Sequence, residues 1–248
     1  MNNEKIYNQS QSVKASPCGG GLEGACLTVI IVAGGKGERM QTDVPKQFLD
    51  MRTKTHVRKK PVLMRTIEAF YRYDNGISII VVLPMEQIDY WKNLCKKHHF
   101  SILHQIIGGG ETRFHSVRNG LSWADADSLI AVHDGVRPLV SRETIARCFE
   151  NAEQYKAVVP VLDLVDSIRY ADEHENRACD RTKYKLVQTP QVFDGGLLKK
   201  AYEQAFSPAF TDDASVVEAL GAKIRLVEGN RENIKITTAM DLKLMEIL

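Results

Sequence analysis

The chain has 248 residues, 33 basic against 31 acidic, with 44% hydrophobic residues and 5 cysteines. That length suits one large α/β domain, or a domain with a small appendage, and its core needs no disulfide or metal staple. Near-neutral charge gives no bulk attraction to a nucleic-acid backbone. No apolar stretch reaches the length of a membrane helix. The scattered cysteines form no C-x-x-C pair, so neither a zinc site nor a disulfide framework is expected.

Residues 1–26 are polar and glycine-bearing and lack a signal-like apolar core, so they read as a flexible extension expected to stay with a cytoplasmic protein. Residues 27–248 read as the domain. An apolar β-branched strand covers 29–32, and Pro61 opens a helix carrying Leu63, Ile67 and Phe70 on one side. A strand follows at 78–83, a helix at 86–99, a strand at 101–106 and a helix at 112–124. Then come a strand at 129–132, a helix at 142–152 and a strand at 157–161. Helices at 195–205 and 212–220, a strand at 223–228 and a helix from Thr238 complete the chain. Buried strands alternating with helices predict a three-layer α/β/α sandwich around a mainly parallel, Rossmann-like sheet. Between them, residues 162–187 are charged and poor in apolar runs. Val165, Ile168 and Tyr170 on one side of a polar turn, with Tyr184 and Leu186 on the other, predict a projecting β-arm. Two strands bury too little to stand alone, so packing against a second subunit is expected.

Four polar clusters follow strand ends, where doubly wound sheets place their sites. In VIIVAGGKGERMQTDVPK, residues 29–46, the first strand opens onto Gly34, Gly35 and Gly37, with Arg39 and Lys46 beyond. Glycines let backbone N–H groups approach phosphate oxygens, and the cations neutralise a polyanion. The loop is not a dinucleotide fingerprint, because Met40 stands where its last glycine belongs, and it is not a Walker A loop. The second cluster is Gly108–Arg113 with Ser116, the third His133–Pro138, the fourth Asn233–Thr238. Asp134 ends an apolar strand and suits a metal–phosphate or substrate-hydroxyl role, or a turn carboxylate. Arg137 suits a phosphate clamp or a surface ion pair. Lys235, between Ile234 and Ile236, faces away from both. Arg181 on the arm suits an anion across an interface, or solvent. Thr189 bonds substrate or caps a turn, and the 211–214 run, TDDA, reads first as a helix N-cap.

Taken in order, AGGKGERM…PKQF, GGGETR..SV..GL, VHDGVRP, QTPQ.F, TDDAS and EG….NIKIT resemble the sugar nucleotidyltransferase-like cytidylyltransferases. Within them they resemble the family that joins CTP to 2-C-methyl-D-erythritol 4-phosphate, over 27 to the C-terminus. The resemblance implies direct attack of the acceptor phosphate on the α-phosphorus of CTP, release of pyrophosphate, and magnesium as cofactor. It implies that Arg39, Lys46 and Lys235 serve the transferring phosphates. Ala33, Gly34 and Gly35, with Gly37, form the nucleotide loop. Gly109, Gly110, Glu111 and Ser116 match the base and ribose side, and Arg113 gains no chemical step. Asp134 and Arg137 match substrate and metal-side positions. Ser167, Arg181, Thr189 and Thr211 match acceptor-side positions, with Arg181 reaching the partner subunit's acceptor in a homodimer of clasped arms.

The 48–62 connection, with Arg52, Lys54, His56, Arg58, Lys59 and Lys60, is longer than the family pattern and reads as a solvated loop, or a basic lid. A ribitol 5-phosphate cytidylyltransferase shares the fold, CTP and many loop motifs and is the competing enzyme. A catalytically inactive nucleotide-binding or scaffold protein is the competing non-enzyme, against which Arg39, Lys46, Asp134 and Lys235 stand together.

Overall fold

The computed structural model describes residues 26–34, 44–53 and 56–247. In chain order the first half holds β1 (Cys26–Val32), β2 (Asp50–Thr53), β3 (His56–Pro61), α1 (Val62–Tyr73), β4 (Ser78–Leu83), α2 (Ile88–Lys97), β5 (Gln105–Gly108), α3 (Arg113–Leu121) and β6 (Ser128–Asp134). The second half holds α4 (Arg142–Tyr155), β7 (Ala157–Asp163), β8 (Ile168–Ala171), β9 (Asn176–Cys179), β10 (Lys185–Val187), β11 (Gln191–Asp194), α5 (Gly195–Ala201), α6 (Asp213–Glu218), β12 (Arg225–Glu228) and α7 (Ala239–Ile247).

The main sheet runs β10-β7-β11-β6-β1-β4-β5, with β12 also paired to β7. β1 pairs in parallel with β4 and with β6, and β4 with β5. β11 is antiparallel to both β6 and β7, and β10 is antiparallel to β7. The sheet is therefore mainly parallel, as expected. Its central strands β1, β4 and β6 are buried on both faces, which is why they read as unbroken apolar runs.

Alternation along each strand feeds two separate cores. Val29, Ile31, Val81 and Ala131 pack with Leu63, Ile67 and Phe70 of α1, Trp91 of α2 and Phe149 of α4. Ile30, Ile80, Val82 and Val132 face the other way, onto Phe114 and Val117 of α3, Leu198 of α5 and Val217 of α6. Helices thus cover both faces and complete the three layers. No helix among the described residues is long and apolar enough to cross a membrane. Cys26 is disulfide-bonded, whereas Cys95, Cys148 and Cys179 are free thiols.

Several elements differ from expectation. The strand expected at 101–106 forms at Gln105–Gly108. The Ile102 carbonyl is bound by His104 Nδ1 at 2.8 Å, and His104 Nε2 accepts from the Trp91 indole at 3.0 Å, so the segment before β5 is tied to α2. The 48–62 connection is not a plain loop: β2 and β3 pair antiparallel. What holds them is Met51, wholly buried with Val62, Val136, Ile236 and Met245. The arm also closes differently. β8 pairs with β9, around a turn in which Asp172 Oδ1 accepts from the N–H groups of His174 and Glu175, both at 2.8 Å. Leu186, expected in the arm's second strand, instead joins the main sheet opposite Leu162. β11, too short for a periodic signal, escapes the sequence reading. Most of the β8–β9 hairpin is exposed, so it has little support from its own chain.

Candidate functional site

The chain leaves β1 for β4 on one side and later returns to β6 on the other. The carboxyl ends of β1 and β6 therefore form a topological switch point, where such sheets bind ligands. Val32 and Asp134 lie opposite each other there. The Gly135 N–H donates to the Val32 carbonyl at 2.8 Å, and a Cβ on Gly135 would lie 2.8 Å from the Ala33 Cβ. Only a glycine lets the two strand ends come this close.

Ala33 and Gly34 begin the expected nucleotide loop, whereas Gly35, Gly37 and Arg39 lie outside the described residues. Ala33 donates its N–H to the Val82 carbonyl at 3.0 Å. Its own carbonyl accepts from Gln47 Nε2 at 2.8 Å, and the same nitrogen reaches Gln87 Oε1 at 2.7 Å. Gln47 sits in the 3₁₀ turn Lys46–Phe48. Phe48 is buried and stacks on Trp91, ring centroids 6.0 Å apart. Lys46 is thus carried on a turn anchored to the sheet and to α2.

Gly109 and Gly110 form a fixed ledge after β5, against the end of β4. The Gly109 N–H donates to the Leu83 carbonyl at 2.7 Å. Ser116 Oγ accepts from the Gly110 N–H at 3.1 Å and donates to the Thr112 carbonyl at 3.0 Å. Thr112 caps α3 through the His115 N–H. Glu111 is exposed.

At the end of β6 the chain gathers charge. Asp134 Oδ2 lies 3.0 Å from Arg137 Nε and 3.1 Å from Lys235 Nζ, and Oδ1 lies 3.9 Å from Arg113 Nε. Burial alone would raise the Asp134 pKa, but Arg113, Lys235 and Arg137 outweigh it and hold the carboxyl well below the usual carboxylate range. Arg113 is fixed in turn by Asp213, at 2.9 and 2.6 Å. Asp213 is fully buried and also accepts from the Tyr202 hydroxyl at 2.6 Å. Lys235 faces away from buried Ile236, as its spacing predicts.

Thr189 joins this cluster from the far side. Its Oγ1 accepts from the Asp134 N–H at 3.1 Å and meets His133 Nδ1 at 3.0 Å. His133 Nε2 lies 3.1 Å from the Arg137 carbonyl, which can only accept. Nε2 therefore carries the proton, and the Thr189 hydroxyl donates to Nδ1. His133 orients Thr189 and the loop carrying Arg137 at once.

Other expected site residues stand apart. Thr211 is exposed and precedes the helix cap, which is Asp212 in a capping box with Ser215. Ser167 and Arg181 are exposed on the arm. Arg181 donates to the Val165 carbonyl, and neither residue bonds to the Asp134 cluster. Gln47, His133, Gln188, Asp213 and Asn233 lie within motifs that the sequence shows, but no sequence feature assigns them a site role of their own. Each acts through a partner distant in sequence, and only position within a quoted motif could have flagged them.

No group of three or more His, Cys, Asp or Glu side chains among the described residues could hold a metal ion. The one carboxylate of the cluster is a hard oxygen donor already balanced by three cations. These residues fit magnesium that brings most of its ligands with a triphosphate and water, with Asp134 contributing at most one oxygen.

Burial pushes the His133 imidazole down from 6.5 to about 4. The unfolded chain therefore takes up a proton that the folded chain refuses. Stability from this group is complete above its unfolded pKa of 6.5 and is lost as pH falls towards about 4. Burial lowers His104 in the same direction. We expect the unfolding free energy to drop on acidification, with His133 alone contributing about 2 kcal/mol between pH 7 and 5. Urea unfolding of the wild type and His133→Gln at both pH values checks this. The variant's loss should be shallower, and an equally steep loss would clear His133 of the effect.

The family model described as 2-C-methyl-D-erythritol 4-phosphate cytidylyltransferase (IspD) matches residues 27–248. A protein of that name from Bacteroides thetaiotaomicron is 60% identical over 217 residues, which cover 88% of this chain and 96% of the relative. One from Porphyromonas gingivalis is 47% identical over 220 residues, covering 88% and 96%. Among solved structures, the 4-diphosphocytidyl-2C-methyl-D-erythritol synthase of Anaerococcus prevotii superposes with a TM-score of 0.73 at 28% identity, covering 89% of this chain and 94% of that one. The 2-C-methyl-D-erythritol 4-phosphate cytidylyltransferase of Thermus thermophilus gives 0.69 at 33% identity, covering 89% and 97%. The switch-point site and these likenesses lead to one conclusion: the chain belongs to the 2-C-methyl-D-erythritol 4-phosphate cytidylyltransferase family.

Proposed function

We propose that the protein transfers the cytidylyl group of CTP to 2-C-methyl-D-erythritol 4-phosphate, forming 4-diphosphocytidyl-2-C-methyl-D-erythritol and pyrophosphate in non-mevalonate isoprenoid biosynthesis. The observation that carries this reading, beside family membership, is the Asp134 cluster. It supplies a fixed carboxylate and three cations at the end of β6, beside the end of β1.

An acceptor phosphate oxygen attacks the α-phosphorus of CTP, and the bond from that phosphorus to the bridging oxygen breaks. Pyrophosphate leaves with the electron pair. Lys46, Arg39 and Lys235 neutralise charge that builds up on the phosphates. Ala33, Gly34, Gly35 and Gly37 hold the triphosphate, and Gly109, Gly110, Glu111 and Ser116 border the cytosine and ribose. Arg137 and Lys235 bind the acceptor phosphate, while Asp134, Ser167, Thr189 and Thr211 meet its hydroxyls. Magnesium, when bound with CTP, screens the triphosphate and eases departure of pyrophosphate. Because the reaction draws on the CTP pool, we assign the protein to the cytoplasm, with residues 1–26 as an extension of the 27–248 domain.

A pyrophosphate-release assay crossing nucleotides with acceptors tests the reading. CTP with methylerythritol phosphate should be turned over and should depend on magnesium after chelation. Preference for ribitol 5-phosphate under matched conditions would reassign the acceptor, and undiminished turnover in rigorously metal-free buffer would remove magnesium.

The exposed β8–β9 hairpin supports a homodimer in which each arm carries Arg181 to the partner's acceptor site. A guanidinium there binds phosphate through two aligned hydrogen bonds. A co-expressed heterodimer of Arg181→Ala and Lys46→Met chains should regain one working site. Activity no higher than that of the two mutant homodimers would confine Arg181 to its own subunit.

A further inference from the structure

Buried Gln188, Thr189, Gly229 and Asn233, with half-buried Asn230, build an amide lattice to which the reaction gives no task. Asn233 is completely buried. Its Nδ2 donates to the Thr189 carbonyl at 2.8 Å and lies 3.5 Å from Gln188 Oε1. Gln188 is also buried, and its Nε2 donates to the carbonyls of Asn230 at 2.9 Å and Asn233 at 3.3 Å. The Asn233 carbonyl takes a second donor, Arg137 Nη1, at 2.8 Å.

Asn230 extends the lattice to the start of α4. Its Oδ1 accepts from the Ser141 N–H at 3.1 Å and the Thr144 hydroxyl at 3.2 Å, and its Nδ2 donates to the Leu139 carbonyl at 3.0 Å. Lys235 follows Asn233 by two residues and is pinned on its other side by the Ile236 N–H, 3.0 Å from the Val136 carbonyl. Gly229 lets the lattice close, since a Cβ there would stand 2.2 Å from Gln188 Oε1.

Two features separate Asn233 from an ordinary core amide. Three chain segments converge on it, and each carries one group assigned to the acceptor: Thr189, Arg137 and Lys235. Moreover, Asn233 Oδ1 has no hydrogen-bond partner although it is buried. Orphaned buried acceptors are costly. The side chain is therefore held by what its N–H₂ group donates.

We propose that Asn233 is a positioning residue for the acceptor. With Gln188 it fixes the mutual placement of Thr189, Arg137 and Lys235, and its hydrogen bonds go to Gln188, Thr189 and Arg137 rather than to the residues that border the cytosine and ribose. This inference rests on the cytidylyltransferase reading. A displacement of about 1 Å at such groups is enough to cost a large factor in turnover.

Asn233→Asp tests it most sharply, because the shape is kept while the donor to the Thr189 carbonyl is lost. Gly229→Ala is the second probe. Its clash falls on the end of a flexible side chain, so the fold yields easily while Gln188 is pushed out of register. Thermal melts establish that each variant is folded, and pyrophosphate release is measured with each substrate varied in turn. In both variants kcat/KM for methylerythritol phosphate should fall by about tenfold or more, with KM for CTP within about twofold of wild type. Unchanged kinetics, or a KM for CTP that rises as much as the KM for methylerythritol phosphate, would overturn the positioning role. If Asn233→Asp fails to fold, the Gly229→Ala result decides. A folded wild type that cannot couple CTP to methylerythritol phosphate removes the functional reading and this proposal with it. An active wild type with indifferent variants removes the positioning role alone.

Discussion

The ionised carboxylate of Asp134, buried among Arg113, Arg137 and Lys235, is the constraint around which the site is organised. A buried charge is expensive unless paired and hydrogen-bonded, and breaking one member of such a set leaves the others uncompensated. Each cation is therefore braced a second time, the two arginines at the guanidinium and Lys235 through its neighbouring backbone. Arg113 answers to Asp213, Arg137 to the Asn233 carbonyl, and Lys235 to a backbone stretch tied down by Ile236. Such mutual bracing is what preorganised electrostatic stabilisation requires.

The sheet makes this possible. Its strands send alternate residues to two cores, which fixes register without help from the loops. Strand ends then become rigid platforms. β1 offers the start of the glycine loop and β6 offers Asp134 beside it. β11 brings the preceding Gln188–Thr189 pair up to the same edge. The nucleotide side depends on Gln47, Gly109 and Ser116, and the acceptor side on His133, Gln188 and Asn233. The two halves meet at Asp134 and share no hydrogen-bonded side chain beyond it among the residues described above. That division lets acceptor use and nucleotide use be perturbed separately.

Much of this was legible in the sequence because it is local. Asp134 closes the apolar run LIAVHD, so strand periodicity places it, and the alternation of Lys235 with two isoleucines sets it opposite buried Ile236 although residues 233–237 form no strand. What was not legible is long-range. Arg113 finds Asp213 across 100 residues, and no local pattern distinguishes Asp213 from the neighbouring Asp212 that caps the helix. The β2–β3 hairpin looked like a solvated loop because its basic residues dominate its composition, whereas the buried Met51 that anchors it is one apolar residue among them. Leu186 looked like arm because the polar turn that actually closes the hairpin lies earlier, at Asp172. In each case tertiary pairing overrode a correct reading of composition.

The most direct test of the central role of Asp134 is the steady-state kinetics of Asp134→Asn, with fold checked by circular dichroism and CTP binding by calorimetry. Asparagine keeps the size but removes the charge that gathers three cations. The account predicts a folded protein that binds CTP within a few-fold of wild type, while kcat/KM for methylerythritol phosphate falls by about a hundredfold. Wild-type turnover in the folded variant would contradict it, and would mean that the cations hold their places without the carboxylate.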